Sequence, residues 1–197
     1  MANDTKGRIL DAALVIFSRN GYAGTNLKDI AESVGVVKSA FYRHFSSKEE
    51  VWNAVIDRME NYYSERFGST DHLPGIPSSW DEFYVLAMKM INFTIHDERI
   101  IMTRRLLLTE QFRDGRINAL ATKHFLNGMK DIYRIIFAKM AEKGLLIDDD
   151  PEMLAFAFTT PVSALIHYCD REPEKESEIM CQIEDFVKHF IKIYGKK

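Results

Sequence analysis

The stretch from residue 25 to residue 48, TNLKDIAESVGVVKSAFYRHFSSK, constrains the fold more than any other part of the chain. Leu27, Ile30, Ala31 and Val34 recur at i, i+3, i+4 and i+7, the spacing of one buried helix face. Asn26 stands where a side-chain oxygen caps the first free N–H groups, and Asp29 puts a carboxylate at the positive end of the helix dipole. Gly35 ends the helix, because glycine accepts the left-handed backbone that a tight exit requires. A short turn follows, then a second helix over residues 37–44. In that helix Phe41 and Phe45 pack back toward Ile30 and Val34, while Lys38, Ser39, Tyr42 and Arg43 face outward. Two helices joined in this way make a helix-turn-helix.

The charge of the same stretch narrows its use. Residues 33–48 hold Lys38, Arg43 and Lys48, with His44 and no Asp or Glu, whereas the 197-residue chain carries a formal charge of −3. A basic patch on an acidic protein suits contact with phosphates, whose neutralisation supplies most of the affinity for DNA. The competing reading is the solvated face of an ordinary helical bundle. In helix-turn-helix proteins the N-terminal end of the second helix meets base edges in the major groove. Val37, Lys38, Ser39 and Ala40 are therefore the candidate base-contacting residues: Lys38 as a donor to guanine O6 and N7, Val37 or Ala40 as apolar contacts for a thymine methyl.

Gly21-Tyr22-x-x-Thr25, Asp29-Ile30-Ala31-Glu32, Gly35-Val36, Phe41-Tyr42-Arg43-His44-Phe45 and Ser47-Lys48-Glu49-Glu50 follow one another at fixed spacing. This ordered set resembles the N-terminal signature of the TetR family of one-component bacterial transcriptional regulators. The signature covers the first quarter of the chain; the remainder is similar only in length and all-helical texture. Asn26 departs from it, where a second threonine is usual, as does the run Val37-Lys38-Ser39-Ala40, so the operator sequence is not readable by analogy. The resemblance implies that Thr25, Tyr42, His44 and Lys48 contact the DNA backbone, a role their hydroxyl, imidazole and ammonium donors suit. For Tyr42 simple packing is the alternative.

Around this stretch the chain reads as helix throughout. A first helix is expected over residues 5–20, with Ile9, Leu10, Ala13, Ile16 and Phe17 on one face and Lys6, Arg8, Asp11 and Arg19 on the other; Gly21 closes it. Ser47 and Glu50 form a capping box that opens a helix running to about residue 67. The segment 68–79, GSTDHLPGIPSS, is the strongest break, and Ser79 with Glu82 opens the next helix. Further helices are expected over residues 97–109, 116–143 and 152–168, the last preceded by Asp148, Asp149, Asp150 and Pro151 and expected to kink at Pro161. A final helix carries Ile179, Ile183, Phe186, Phe190 and Ile193. The expected architecture is all-α, with a three-helix DNA-binding domain over residues 1–46 and a helical ligand-binding and dimerisation domain over residues 47–197, linked by the helix from residue 47.

In the second domain Met90, Phe93, Phe112, Phe125, Met129, Tyr133, Phe156 and His167 are the candidate ligand-pocket residues, since methionine and aromatic side chains suit a flexible apolar ligand. Plain core packing is the alternative, and the resemblance, which implies an inducer cavity, favours the pocket. Arg104, Arg105, Glu110, His124 and His167 are candidates to orient a polar ligand end. The last two helices carry more apolar face than one copy covers, so Phe158, Leu165, Ile183, Phe186 and Phe190 are expected at a homodimer interface, with internal packing as the alternative.

Other chemistry finds little support. The chain has two cysteines, Cys169 and Cys181, no G-x-S-x-G, no glycine-rich phosphate loop and no H-E-x-x-H; His167, Cys169 and Asp170 lie close in sequence without forming a metal signature. No enzyme activity, cofactor or metal is expected, and no run approaches a membrane span. The reading is a cytoplasmic, homodimeric, ligand-responsive repressor, with a double-stranded DNA operator and a small-molecule inducer as partners. The alternative is a helical enzyme or lipid-binding protein whose N-terminal unit is merely structural.

Overall fold

The structure, a computed structural model, describes residues 5–67, 73 and 75–196. Among these the regular elements are helices, accompanied by one antiparallel bridge between Leu146 and Gly195, so the all-α expectation holds. In chain order they are α1 (Thr5–Gly24), α2 (Leu27–Val34), α3 (Lys38–Phe41), α4 (Lys48–Phe67), α5 (Trp80–His96), α6 (Glu98–Glu110), α7 (Gly115–Thr122), α8 (Gly128–Glu142), α9 (Pro151–Arg171) and α10 (Glu176–Tyr194). The break expected over residues 68–79 falls partly on residues 68–72 and 74, outside the described ones; residues 73 and 75–79 are non-helical.

The local signals act as their chemistry requires. Asn26 Oδ1 accepts from the Lys28 N–H at 2.9 Å, and Gly35 leaves α2 at φ 69°, ψ 32°. Ser47 Oγ accepts from the Glu50 N–H at 3.1 Å, but Glu50 reaches back one residue further than a simple capping box, taking both the N–H and the hydroxyl of Ser46 at 2.7 Å. Ser78, Ser79 and Glu82 repeat this arrangement at the start of α5. These bonds hold the Glu50 carboxyl below its ordinary pKa, the Ser46 N–H being the largest cause.

Two expected helices differ in form. The second helix of the helix-turn-helix is α-helical only over Lys38–Phe41, because the chain then tightens into a turn in which the His44 N–H bonds to the Phe41 carbonyl at 2.9 Å. The long helix expected over 116–143 is α7, a π-helical turn at Lys123–Asn127, and α8 in succession. Gly128 allows that turn: its N–H bonds to the Lys123 carbonyl, and a Cβ there would lie 2.9 Å from the same oxygen.

The helices form two compact units, each assembled from two separate stretches of chain. The first unit comprises the chain up to Arg66 together with Glu98–Leu120; the second comprises Phe67–Asp97 and Ala121–Lys197. The chain therefore passes from one unit to the other three times. This division follows a different line from the expected boundary at residue 46. Val51, Trp52, Val55, Ile56 and Met59 of α4 and Ile100, Leu106 and Leu107 of α6 are buried, and α6 packs along α1. The core of the second unit is aromatic: Phe83, Tyr133, Phe137, Phe158 and Phe190 are all buried, with neighbouring ring centroids 4.7 to 6.5 Å apart.

Candidate nucleic-acid interface

Within the first unit, Ile30, Ala31, Val34, Phe41 and Phe45 are buried, which fixes α2 and α3 on α1 and turns the opposite face of α3 outward. Val37 is 70% exposed, Lys38 and Ser39 are exposed and Ala40 is half-buried. Tyr42 is exposed beside them, with the Lys38 ammonium 5.9 Å from its ring centre, a distance at which the ring face attracts the cation. Arg43 is exposed and His44 half-buried. No carboxylate interrupts this run, so an incoming anion meets no negative side chain within it.

Several polar side chains of α1, while still reached by solvent, also bind within the unit. Arg8 donates to the Val34 carbonyl at 2.7 Å, where the last carbonyls of α2 lack helical partners. Lys6 lies over the Phe45 ring at 5.5 Å. Asp11 accepts from Arg58 of α4 at 3.2 Å and from Arg99 of α6 at 3.1 Å, while Arg58 also donates to the Gly7 carbonyl at 2.9 Å. Three helices thus meet at one carboxylate. Reading α1 by periodicity alone missed these partners, because Arg58 and Arg99 are distant in sequence.

The turn between α1 and α2 is held from several sides. Gly21 interrupts α1 at φ 69°, ψ 177°. Thr25 is 2% exposed, and its hydroxyl donates to the Gly21 carbonyl at 2.8 Å. The expected phosphate contact through that hydroxyl is thereby corrected: the group is buried and its proton is directed inward. Lys48 Nζ donates to the carbonyls of Tyr22 and Thr25, each at 2.9 Å, and lies 4.4 Å from the Tyr22 ring centre, so two of its three protons clasp the turn. Glu110, 3% exposed at the end of α6, accepts from the Tyr22 N–H at 3.2 Å. Arg113 lies 3.6 Å from the same carboxylate oxygen. Glu110 is therefore engaged with the turn, not placed to orient a ligand in the second unit. Trp52 packs edge-on against Phe17 and Tyr22 and donates to Asp114 at 3.3 Å.

The expected pocket residues do not share one surrounding. Met90 and Tyr133 are buried, and the Tyr133 hydroxyl points to the Met90 sulfur at 3.9 Å; burial pushes that hydroxyl's pKa up. Phe93 is half-buried against Phe67, Met129 is half-buried against the aromatic core, and Phe125 meets His167 edge-on at 5.0 Å. Phe112 belongs to the first unit and is 86% exposed, and Phe156 is 52% exposed on α9, so neither sits in an interior pocket of the second unit. Their aromatic character suggested burial that the turn after α6 and the outer face of α9 do not provide.

The expected dimer residues also separate. Phe158, Ile183 and Phe190 are buried in the aromatic core of their own unit and are not available to a second copy; Leu165 and Phe186 are half-buried against it. The outward positions of α9 are instead Met153, Phe156, Thr160 and Ala164, spaced three and four residues apart. The internal-packing alternative thus holds for three of the five residues.

Residues 9–55 match the family model described as bacterial regulatory proteins, tetR family. Over 58 residues the chain is 40% identical to the biofilm operon icaADBC negative transcriptional regulator IcaR of Staphylococcus epidermidis, covering 29% of this chain and 31% of that protein. Over 110 residues it is 32% identical to the transcriptional regulator TtgR of Pseudomonas putida, covering 55% of this chain and 49% of that protein. The chain thus spans at most about half the length of these curated relatives. The fold is similar to that of SmeT, the repressor of the Stenotrophomonas maltophilia multidrug efflux pump SmeDEF, in its triclosan complex: TM-score 0.71 and 22% identity, covering 99% of this chain and 93% of that one. The helix-turn-helix built on α2 and α3 thus lies within the part of the chain, its N-terminal quarter, that is similar to the TetR family of bacterial transcriptional regulators.

Proposed function

We propose that the protein is a repressor that sits as a homodimer on a palindromic operator and leaves it when a small-molecule inducer binds. One observation carries the reading. A carboxylate-free face of α3, with Val37, Lys38, Ser39 and Tyr42 exposed, stands on a rigid base formed by buried Phe41 and Phe45. Such a face offers base-edge donors and apolar contacts in the major groove, flanked by groups that bind phosphate. Arg43, His44 and the remaining proton of Lys48 supply the backbone contacts.

A homodimer is supported by the apolar and small outward residues of α9, namely Met153, Phe156 and Ala164, at which two copies can pack closely. A ligand site is supported by the soft, adaptable side chains of the second unit: Met90, Met129, Phe93, Phe125, Tyr133 and His167, on α5, α8, α9 and the π-helical turn. SmeT has been crystallised with triclosan, a relative bound to a small molecule. Moving an operator-binding equilibrium from mostly competent to mostly incompetent requires about 5.5 kcal/mol of differential ligand affinity. In this reading the inducer acts through α4, which carries the chain from the first unit to the second and shifts the separation of the two α3 helices.

The test begins with duplexes selected by the protein from a random-sequence pool. Wild-type affinity is expected to fall steeply with salt. Lys38→Ala is expected to cost about 1–3 kcal/mol on the selected duplex and to relax one base position, whereas Tyr42→Ala weakens all sequences alike and lowers the salt slope by about 1. A protein that binds no duplex in a salt-dependent manner, and shows turnover or lipid carriage instead, is the structural-unit alternative.

A further inference from the structure

Glu110 is a buried carboxylate with a task that its own helix does not explain. It is 3% exposed, and its Oε1 takes the Tyr22 N–H at 3.2 Å across 88 residues of sequence. The approach is close enough that a Cβ on Gly21 would lie 2.4 Å from the same oxygen. Tyr22's own carbonyl, in the next peptide group along the chain, receives Lys48 Nζ at 2.9 Å, and the same ammonium holds the Thr25 carbonyl at 2.9 Å. A short path therefore runs from the end of α6 through the backbone of one residue, Tyr22, to the cation at the start of α4. Withdrawing the acceptor leaves the Tyr22 N–H without that partner and loosens the Gly21–Tyr22 peptide, whose carbonyl accepts from the Thr25 hydroxyl; the shift of Tyr22 that follows moves its own carbonyl, the one that Lys48 grips.

We infer that Glu110 is a positioning residue for the DNA-binding face: by fixing the Tyr22 N–H it holds the residue whose carbonyl Lys48 grips, and so aims the Lys48 ammonium and the start of α2 at the phosphate backbone. This rests on the DNA-binding reading above. It adds that the aim of the backbone contacts is set from α6, a helix outside the helix-turn-helix.

Two substitutions in the full-length protein separate this from plain stabilisation. Glu110→Asp keeps the charge but withdraws the acceptor by one methylene; Glu110→Gln keeps an oxygen acceptor at the same reach. Binding is measured on a duplex selected by the wild-type protein and on a mixed-sequence duplex, across a salt series, with melting temperature followed in parallel. E110D is expected to lose roughly tenfold in affinity on both duplexes and to show a salt slope lower by about one phosphate contact. E110Q is expected to stay within about threefold of wild type with an unchanged slope. An E110D protein that melts lower but keeps the wild-type salt slope overturns the inference, as does an E110Q loss equal to that of E110D. Wild-type protein that binds neither duplex in a salt-dependent manner overturns the DNA-binding reading itself, a separate result from the first two.

Discussion

Two demands meet at Gly21. Its backbone, at φ 69° and ψ 177°, occupies a region essentially closed to residues with a side chain, and its α-carbon faces the Glu110 carboxylate so closely that no Cβ fits. Gly21→Ala is expected to destabilise the protein by about 1–3 kcal/mol, read as a lower urea midpoint at unchanged m-value. The stop at Gly21 was legible in the sequence, as were the Asn26 cap and the Gly35 exit, because each depends on residues within a few positions. The partner that gives Gly21 its second constraint was not legible. Glu110 lies 88 residues beyond Tyr22, and a glutamate at a helix end carries no mark of what it will meet. The same holds for Thr25, a residue type that suits a phosphate donor but whose hydroxyl is directed inward to the Gly21 carbonyl.

Helices were read well where one face is apolar and poorly where the backbone departs from regularity. The π-helical turn at Lys123–Asn127 interrupts a sequence that reads as one long helix, and only the contact between Gly128 and the Lys123 carbonyl explains it. That turn carries His124, whose pKa is lowered to about 4, chiefly by burial and then by Lys123. The folded state therefore takes up fewer protons than an unfolded chain, where histidine titrates near 6.5. The corresponding stability is present above pH 6.5 and is lost as pH falls toward 4, by up to about 3 kcal/mol. His124→Gln is expected to lose less melting temperature than wild type between pH 7 and pH 4.5, measured by thermal unfolding followed by circular dichroism. On α9, periodicity identified an apolar helix but not which residues remain outside. Phe156, 52% exposed, rather than buried Phe158, is the aromatic residue of the pairing face proposed above. Phe156→Glu is expected to shift the protein toward monomer in light scattering at micromolar concentration, with its fold retained.

At the level of the molecule, the expected division at residue 46 reflected a motif that ends there, whereas packing brings α6 back from residue 98 to complete the first unit. Burying Ile100, Leu106 and Leu107 stabilises that unit by roughly 5–9 kcal/mol, comparable with the whole stability of a small domain. A fragment ending at residue 66 is therefore expected to lack cooperative unfolding, and joining residues 98–120 to it through a flexible linker is expected to restore a transition. The interleaved path also has a consequence in time. On the ribosome the helix-turn-helix emerges well before the α6 segment that covers α1; at about 5–20 residues per second the 54 residues from 66 to 120 take about 3–11 s to synthesise. During that interval the newborn N-terminal helices hold an uncovered apolar flank, so shielding by a chaperone matters most before translation has passed residue 120.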